Sequence, residues 1–150
     1  MLKRIFKFIN ELRSRRGPSD RLRLGEEVII SLVKDGETLK VIRSPGHTWT
    51  STGLNFIRNW LIEEGTKIPP NSFTTNGSPA STISANAYNP GVSNVAGWKG
   101  TFGSSGAISG ISTIRLMADQ YTLSNYSVTS FTKPDGVELR LDWRTTITAG

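Results

Sequence analysis

The chain has 150 residues, of which 36% are hydrophobic and 20% charged, with a formal net charge of +6. A chain of this length can bury about two-thirds of its unfolded surface, so we expect one domain with an appendage rather than two domains. There is no cysteine and one histidine, His47, which excludes disulfides, thiol nucleophiles and cysteine or multi-histidine metal sites and predicts a protein that is not an enzyme.

The positive charge is concentrated at the start of the chain. Residues 1–25 hold eight basic and two acidic side chains, a difference equal to the whole +6, whereas residues 26–150 hold ten of each. The sequence therefore predicts two parts, a basic amphipathic arm over residues 1–24 and a neutral domain over residues 25–150.

The arm has the apolar spacing of one helical face. Its apolar residues lie at helical intervals, with Phe8 just beside them: Leu2, Ile5, Phe6, Ile9 and Leu12. We expect the helix to end before Gly17-Pro18, because proline disfavours a helical residue before itself.

Three interpretations of the arm remain open. It could dock its apolar face on its own domain or on a neighbouring subunit, lie on an anionic membrane with Phe6, Phe8 and Ile9 inserted, or bind nucleic acid through its cations. It lacks the apolar run and cleavage site of a secretory signal, and no stretch is long enough to span a membrane. The candidate contact residues are Lys3, Arg4, Phe6, Lys7, Phe8, Arg13, Arg15, Arg16, Arg21 and Arg23.

The neutral domain begins with a predicted hairpin. Residues 27–34 and 37–43 are two runs rich in β-branched residues, and they are separated by Asp35-Gly36. An Asp-Gly pair between such runs favours a tight turn, because glycine accepts the positive φ that the turn requires. Asp35 is therefore interpreted as a turn residue and not as a catalytic carboxylate.

A helix is predicted after the hairpin. Ser51-Thr52-Gly53 offers capping chemistry, and Gly65 is well placed to end the helix. We expect an inward face formed by Leu54, Ile57, Trp60 and Leu61.

Residues 66–106 are rich in proline, asparagine, serine, threonine and glycine, and their only charged side chains are Lys67 and Lys99. We predict a long connection that packs on the domain and contacts a partner subunit, with an irregular strand within residues 92–102.

The C-terminal part is regular. Strands are predicted over residues 108–117 and 120–131, followed by a turn at Lys133-Pro134-Asp135-Gly136. The last strand alternates apolar and polar side chains from Val137 to Ile147, which is typical of an antiparallel strand with one buried face. The predicted fold class is mainly β, an antiparallel, jelly-roll-like β-sandwich with one short helix besides the arm.

Candidate chemistry is sparse. Glu26 and Glu27 point to opposite faces of a strand and cannot converge on a substrate, while Glu63-Glu64 end a helix in solvent. The loop Gly103-Ser104-Ser105-Gly106 leads into a strand, unlike a phosphate-binding loop. His47 has no nucleophile signature beside it, so we interpret it as structural. We predict no catalytic residue, metal site, cofactor or small-molecule substrate.

Two stretches resemble virion structural proteins of tailed bacteriophages and related prokaryotic viruses. Residues 49–61, with Gly53-Leu54-Asn55, are similar to a helix that follows an N-terminal hairpin in many such proteins. Residues 127–147 look like their closing hairpin, whose last strand carries Leu139, Leu141 and Trp143 in alternation. The resemblance implies a capsid-associated, tail or fibre component and brings no catalytic residues with it.

The sequence thus favours a non-enzymatic virion structural protein, made in the host cytoplasm, that assembles with copies of itself and other virion proteins and is anchored by its basic arm. The alternatives are a nucleic-acid-binding module that acts through the arm and a peripheral membrane-surface protein.

Overall fold

A computed structural model describes residues 2–15, 22–45 and 48–149. It confirms the predicted class, because two antiparallel sheets pack face to face around the main core and two short helices lie beside them. A smaller buried cluster, which includes Trp49, Phe56 and Leu123, lies between α2 and the second sheet. The first sheet has the strand order β2-β1-β10-β7-β6, and the second has the order β3-β9-β8-β4-β5.

The helices are α1, Leu2–Arg15, and α2, Ser51–Ile62. The strands are β1, Leu22–Lys34; β2, Glu37–Pro45; β3, Thr48–Trp49; β4, Ser72–Thr75; β5, Ser81–Ser84; β6, Asn86–Tyr88; β7, Val95–Phe102; β8, Ile108–Ala118; β9, Tyr121–Lys133; and β10, Glu138–Ala149.

The predicted β1–β2 hairpin is confirmed. Asp35 and Gly36 have φ values of 49° and 79°, and two successive positive φ angles are what a type I′ turn requires. The strand β1 begins at Leu22, earlier than the β-branched run alone indicates, and it pairs with β10 along almost its whole length.

The core lies between the sheets. The predicted alternation of the last strand is confirmed, since Leu139, Leu141 and Trp143 are fully or almost fully buried. Trp143 stacks on Phe73 of the opposite sheet with ring centroids 6.0 Å apart, so the two sheets interlock through aromatic side chains.

The segment 66–106, expected as one long connection, contributes four strands, β4 to β7. Its many small residues permit close packing: a Cβ on Gly100 would come within 2.8 Å of the Phe73 ring. The small residues of this segment therefore occur in strands that pack closely against the core as well as in turns.

The predicted α2 helix is present, and its expected inward face is partly confirmed, since Ile57 and Trp60 pack against the buried cluster that contains Phe56. Leu54 is exposed, whereas Phe56 is buried and packs edge-on against Tyr121 of β9. The N-cap is Thr50, just before the predicted capping stretch 51–53, and its hydroxyl accepts the capping hydrogen bond from the Gly53 N–H. Its C-cap is Glu63, in the left-handed conformation at φ 57°, rather than Gly65.

The Gly103–Gly106 loop has a structural role. The ammonium of Lys133, whose side chain is buried, donates to the carbonyl oxygens of Gly106 at 2.6 Å and Pro134 at 3.3 Å. The Gly106 N–H donates to an Asp135 carboxylate oxygen at 2.8 Å, and the Gly136 N–H donates to Ser104 at 2.7 Å. These bonds fasten the loop to the β9–β10 turn.

Candidate attachment and assembly surfaces

The basic helix α1 contacts α2, and a groove lies between it and the β6–β7 loop. Ile9 is buried, and Ile5 and Phe8 are half-buried. The face that meets the domain is therefore rotated from the predicted one, because Phe8 lies on it and Phe6 does not. The arrangement agrees with the interpretation that the arm docks on its own domain.

The opposite side of α1 is a basic surface with apolar side chains on it. Leu2 is 41% and Phe6 48% exposed, and Lys3 and Lys7 are exposed around them. We call these four residues the α1 outer surface.

The other predicted contact residues are distributed differently. Arg23 is exposed near the start of β1. Arg13 and Arg15 belong to the last turns of α1, where the structure describes the backbone but not the side chains. Arg16 and Arg21 lie outside the described residues, as do Gly17-Pro18 and His47.

A groove of about 550 Å³ separates α1 from the end of the first sheet. Its helix wall carries Ile5, Phe8 and Arg4, and Arg4 is the only charged side chain among the described residues that line the groove. Its far wall is the β6–β7 loop, which the Asn94 amide and backbone tie to the backbone of Ile147 with bonds of 3.0 Å. On the side that carries Ile5 and Phe8, α1 is therefore separated from the β6–β7 loop by an open groove rather than packed tightly on it.

A polar network adjoins the groove on the outer face of the first sheet. The Tyr88 hydroxyl donates to Asp142, and the Arg144 guanidinium contacts the Tyr88 oxygen at 3.1 Å and Asp142 at 2.9 Å. The ammonium of Lys99 lies 4.1 Å from the centroid of the Tyr88 ring. The ring can cross β7 because residue 97 is glycine, where a Cβ would approach the ring to 2.5 Å.

Burial, and then the hydrogen bond to Asp142, raise the pKa of the Tyr88 phenol above its ordinary value of 10.0. The folded state thus holds the Tyr88 proton more tightly than the unfolded chain does. The protonated phenol therefore stabilises the folded state below pH 10, and this stabilisation is lost as the pH rises through the pKa of Tyr88 in the folded state. We expect Asp142→Asn to lower the Tyr88 pKa. The measurement is ultraviolet titration of tyrosinate, with Tyr88→Phe subtracted to isolate this phenol. An unchanged Tyr88 titration in Asp142→Asn would show that the hydrogen bond to Asp142 does not raise the pKa of this phenol.

The outer edge of the first sheet is formed by β2. This strand has nine residues, whereas the other terminal strands, β3, β5 and β6, have two, four and three. Within the described chain no strand pairs with the outer side of β2. Leu39 is 55% and Val41 48% exposed there. A long edge strand with exposed apolar side chains is a ready template for pairing with another chain.

Sequence reasoning missed a buried carboxylate. Glu26 is 8% exposed and lies on the inner face of β1. Its oxygens accept from the Trp143 indole at 3.0 Å, the Ser124 hydroxyl at 3.0 Å and the Thr145 hydroxyl at 3.2 Å. The alternation that places Val28 and Ile30 inward places Glu26 with them, so the signal was present in the sequence. As predicted, Glu27 lies on the opposite face, where it pairs with Arg43.

Over residues 2–15, 22–45 and 48–149, no three carboxylate or imidazole side chains come together as metal ligands would. In the same ranges, neither helix has the length and apolar character needed to cross a bilayer. Comparisons with protein-family models, with curated proteins and with solved structures found no match to this chain.

Proposed function

We propose that this chain is a non-enzymatic structural protein of a virus particle, capsid-associated or part of a tail, that assembles in multiple copies and attaches through its basic N-terminal arm. The observation that carries the proposal is the open nine-residue edge of β2 with its exposed apolar side chains. The resemblance of residues 49–61 and 127–147 to virion proteins supports the setting in a particle, and the proposed location is the virion.

The fold suits such a role. An antiparallel sandwich with interlocked sheets is a rigid unit that can be repeated, and its contacts with neighbours are made by edges and appendages. The arm supplies the appendage, since α1 is held on the domain by Ile9 and presents the α1 outer surface away from it.

The proposal is tested by following the size of the full-length protein against its concentration. We expect light scattering to rise above the monomer value from micromolar to millimolar protein and electron microscopy to show discrete assemblies. A protein that stays monomeric over the whole range, and that does not join virus particles when added to a reassembly mixture, would overturn the proposal.

A second candidate, a protein that attaches to an anionic membrane surface, is favoured by the exposure of Phe6 and Leu2 among cations. A helix that bound only phosphates would gain little from an exposed phenylalanine, whereas a helix in a headgroup layer gains from burying it. Because Ile9 is buried and Phe8 is half-buried, insertion in this arrangement would rely on Phe6 and Leu2.

Vesicle flotation separates the two anionic partners. If the membrane is the partner, full-length protein should float with phosphatidylserine vesicles and not with phosphatidylcholine vesicles, and Phe6→Glu should release it. Leu54→Glu is the matched control, since Leu54 is equally exposed on α2. Retention of binding by Phe6→Glu, together with salt-sensitive binding to DNA, would instead support nucleic-acid attachment.

A further inference from the structure

The groove between α1 and the β6–β7 loop has an apolar floor that continues the core of the sandwich. Ala96 and Ile147 line it, and both lie on the inner face of the first sheet because they follow the alternation set by Trp98 and Trp143. Ala96 packs on the main core, and Ile147 is half-buried near the end of β10. The groove therefore opens onto apolar surface that belongs to the interior face of the sheet.

The walls of the groove add apolar side chains that are only partly covered. Ile5 and Phe8 are half-buried on the α1 wall, and Val92 is 54% exposed on the β6–β7 loop. The side chains of Asn89 and Asn94 already make hydrogen bonds within that loop and to the end of β10. An occupant would therefore gain mainly by burying hydrocarbon against these walls.

The charge of the groove is confined to one end. Arg4 precedes Phe8 by one turn of α1, so its side chain lies toward the start of the helix, with the apolar wall beyond it. No acidic side chain occurs among the described lining residues or in the first turn of α1. The N–H groups of that first turn also favour an anion. The groove thus combines one positive end with an apolar remainder.

We propose that this groove binds a single-chain amphiphile with an anionic head group, of the fatty-acid class. The carboxylate lies on Arg4, and the alkyl chain runs along Phe8 and Val92. The volume of about 550 Å³ is within the range of small-ligand pockets, roughly 300–1,000 Å³. The proposal goes beyond the proposed assembly in a particle and does not depend on it.

Other occupants fit the groove less well. An α-helix is about 10 Å across, so two turns would fill roughly 850 Å³, more than the groove offers. A peptide strand would pair with the edge of β6, which has only three residues. A chain from a bilayer lipid is disfavoured because the α1 outer surface, which would face the bilayer, does not line the groove. These comparisons favour a free amphiphile.

Chain length tests the apolar part of the site. In isothermal titration calorimetry of the full-length protein with octanoate, decanoate and dodecanoate below their micelle concentrations, the affinity should rise about tenfold for every two methylene groups. Ala87→Phe adds a ring at an exposed lining position and should lower the decanoate affinity about tenfold or more. Ala80→Phe, exposed outside the groove, is the control, and urea denaturation checks that both variants fold.

Charge reversal tests the head-group end. Arg4→Glu should weaken decanoate binding about tenfold or more and should make decylammonium the preferred ligand. Lys7→Glu changes the net charge equally on the same helix but outside the groove, so it should alter either affinity by no more than about twofold in physiological salt.

The outcomes separate this site from the other proposals. An affinity that is independent of chain length, or equal losses in Arg4→Glu and Lys7→Glu, would overturn it. Binding to phosphatidylserine vesicles without binding of decanoate would also overturn it and would leave membrane attachment to the α1 outer surface. Phe6→Glu should keep its affinity for decanoate even if it releases vesicles, and a chain that binds decanoate but stays monomeric would uphold this site while the assembly proposal fails.

Discussion

Replacing Gly53 with alanine is expected to destabilise the protein by about 3 kcal/mol, a large effect for the addition of one methyl group. A Cβ on Gly53 would lie 2.2 Å from the carbonyl oxygen of Leu123 and 2.7 Å from Cε3 of Trp49. The helix cannot retreat freely, because the Thr50 hydroxyl and N–H are bonded to the β9 backbone at 2.6 and 2.9 Å. Urea denaturation followed by circular dichroism measures the change in the free energy of unfolding.

Whether Gly53→Ala lowers or raises the free energy of unfolding tests the close packing of α2 on β9. Glycine to alanine inside a helix ordinarily stabilises by up to about 1 kcal/mol, because alanine has the higher helix propensity. Gly103→Ala is the matched control, since no atom lies within 4 Å of its added Cβ and its φ is not positive. A stabilised Gly53→Ala variant would show that α2 does not pack on β9 at this distance.

Replacing Glu26 with alanine is expected to cost about 3 kcal/mol of stability. The substitution removes the acceptor from three donors that come from both sheets, Trp143, Ser124 and Thr145, and leaves a cavity in the core. The same denaturation measurement applies, and near-ultraviolet circular dichroism should report the altered surroundings of the Trp143 indole.

Glutamine is the informative companion at this position. Its carbonyl can face Ser124 and Trp143 while its amide donates to the Thr145 hydroxyl, so Glu26→Gln should cost only about 1 kcal/mol. Equal losses for the two variants would mean that the carboxylate charge, rather than its hydrogen bonds, stabilises the site. A loss below about 0.5 kcal/mol for alanine would refute a stabilising role altogether.

Gly53 and Glu26 also position α2 and β1 relative to the second sheet. Gly53 lies in the first turn of α2 and sets its distance from the second sheet, while Glu26 joins the first sheet to Ser124 of the second. Both act between the sheets or on their borders, where a small change in volume or polarity affects the packing of the whole sandwich.

Local patterns carried much of the prediction. The Asp35-Gly36 turn and the alternation from Val137 to Thr145 each have a physical cause within a few residues, and both are found as predicted. The strand expected within residues 92–102 is present as β7, but the other three strands of segment 66–106 were missed and the buried face of α2 was only partly predicted. Short strands of small residues and a half-covered helix have weak periodicity of their own. Which of their residues are buried depends on the elements that pack on them. Phe73 and Trp98, for example, are buried because the opposite sheet covers them.

The sequence by itself determined that a basic arm precedes a neutral, mainly β domain, because charge and alternation are properties of the chain and need no partner. It also determined the hairpin turn, since glycine after aspartate accepts the φ that the turn demands. Only the tertiary structure decided which side of α1 faces the domain, that Glu26 accepts hydrogen bonds from both sheets, and that β2 is a long edge strand whose outer side has no partner among the described residues. Those features depend on which segments meet across tens to more than a hundred residues, and burial and edge position exist only once they have met.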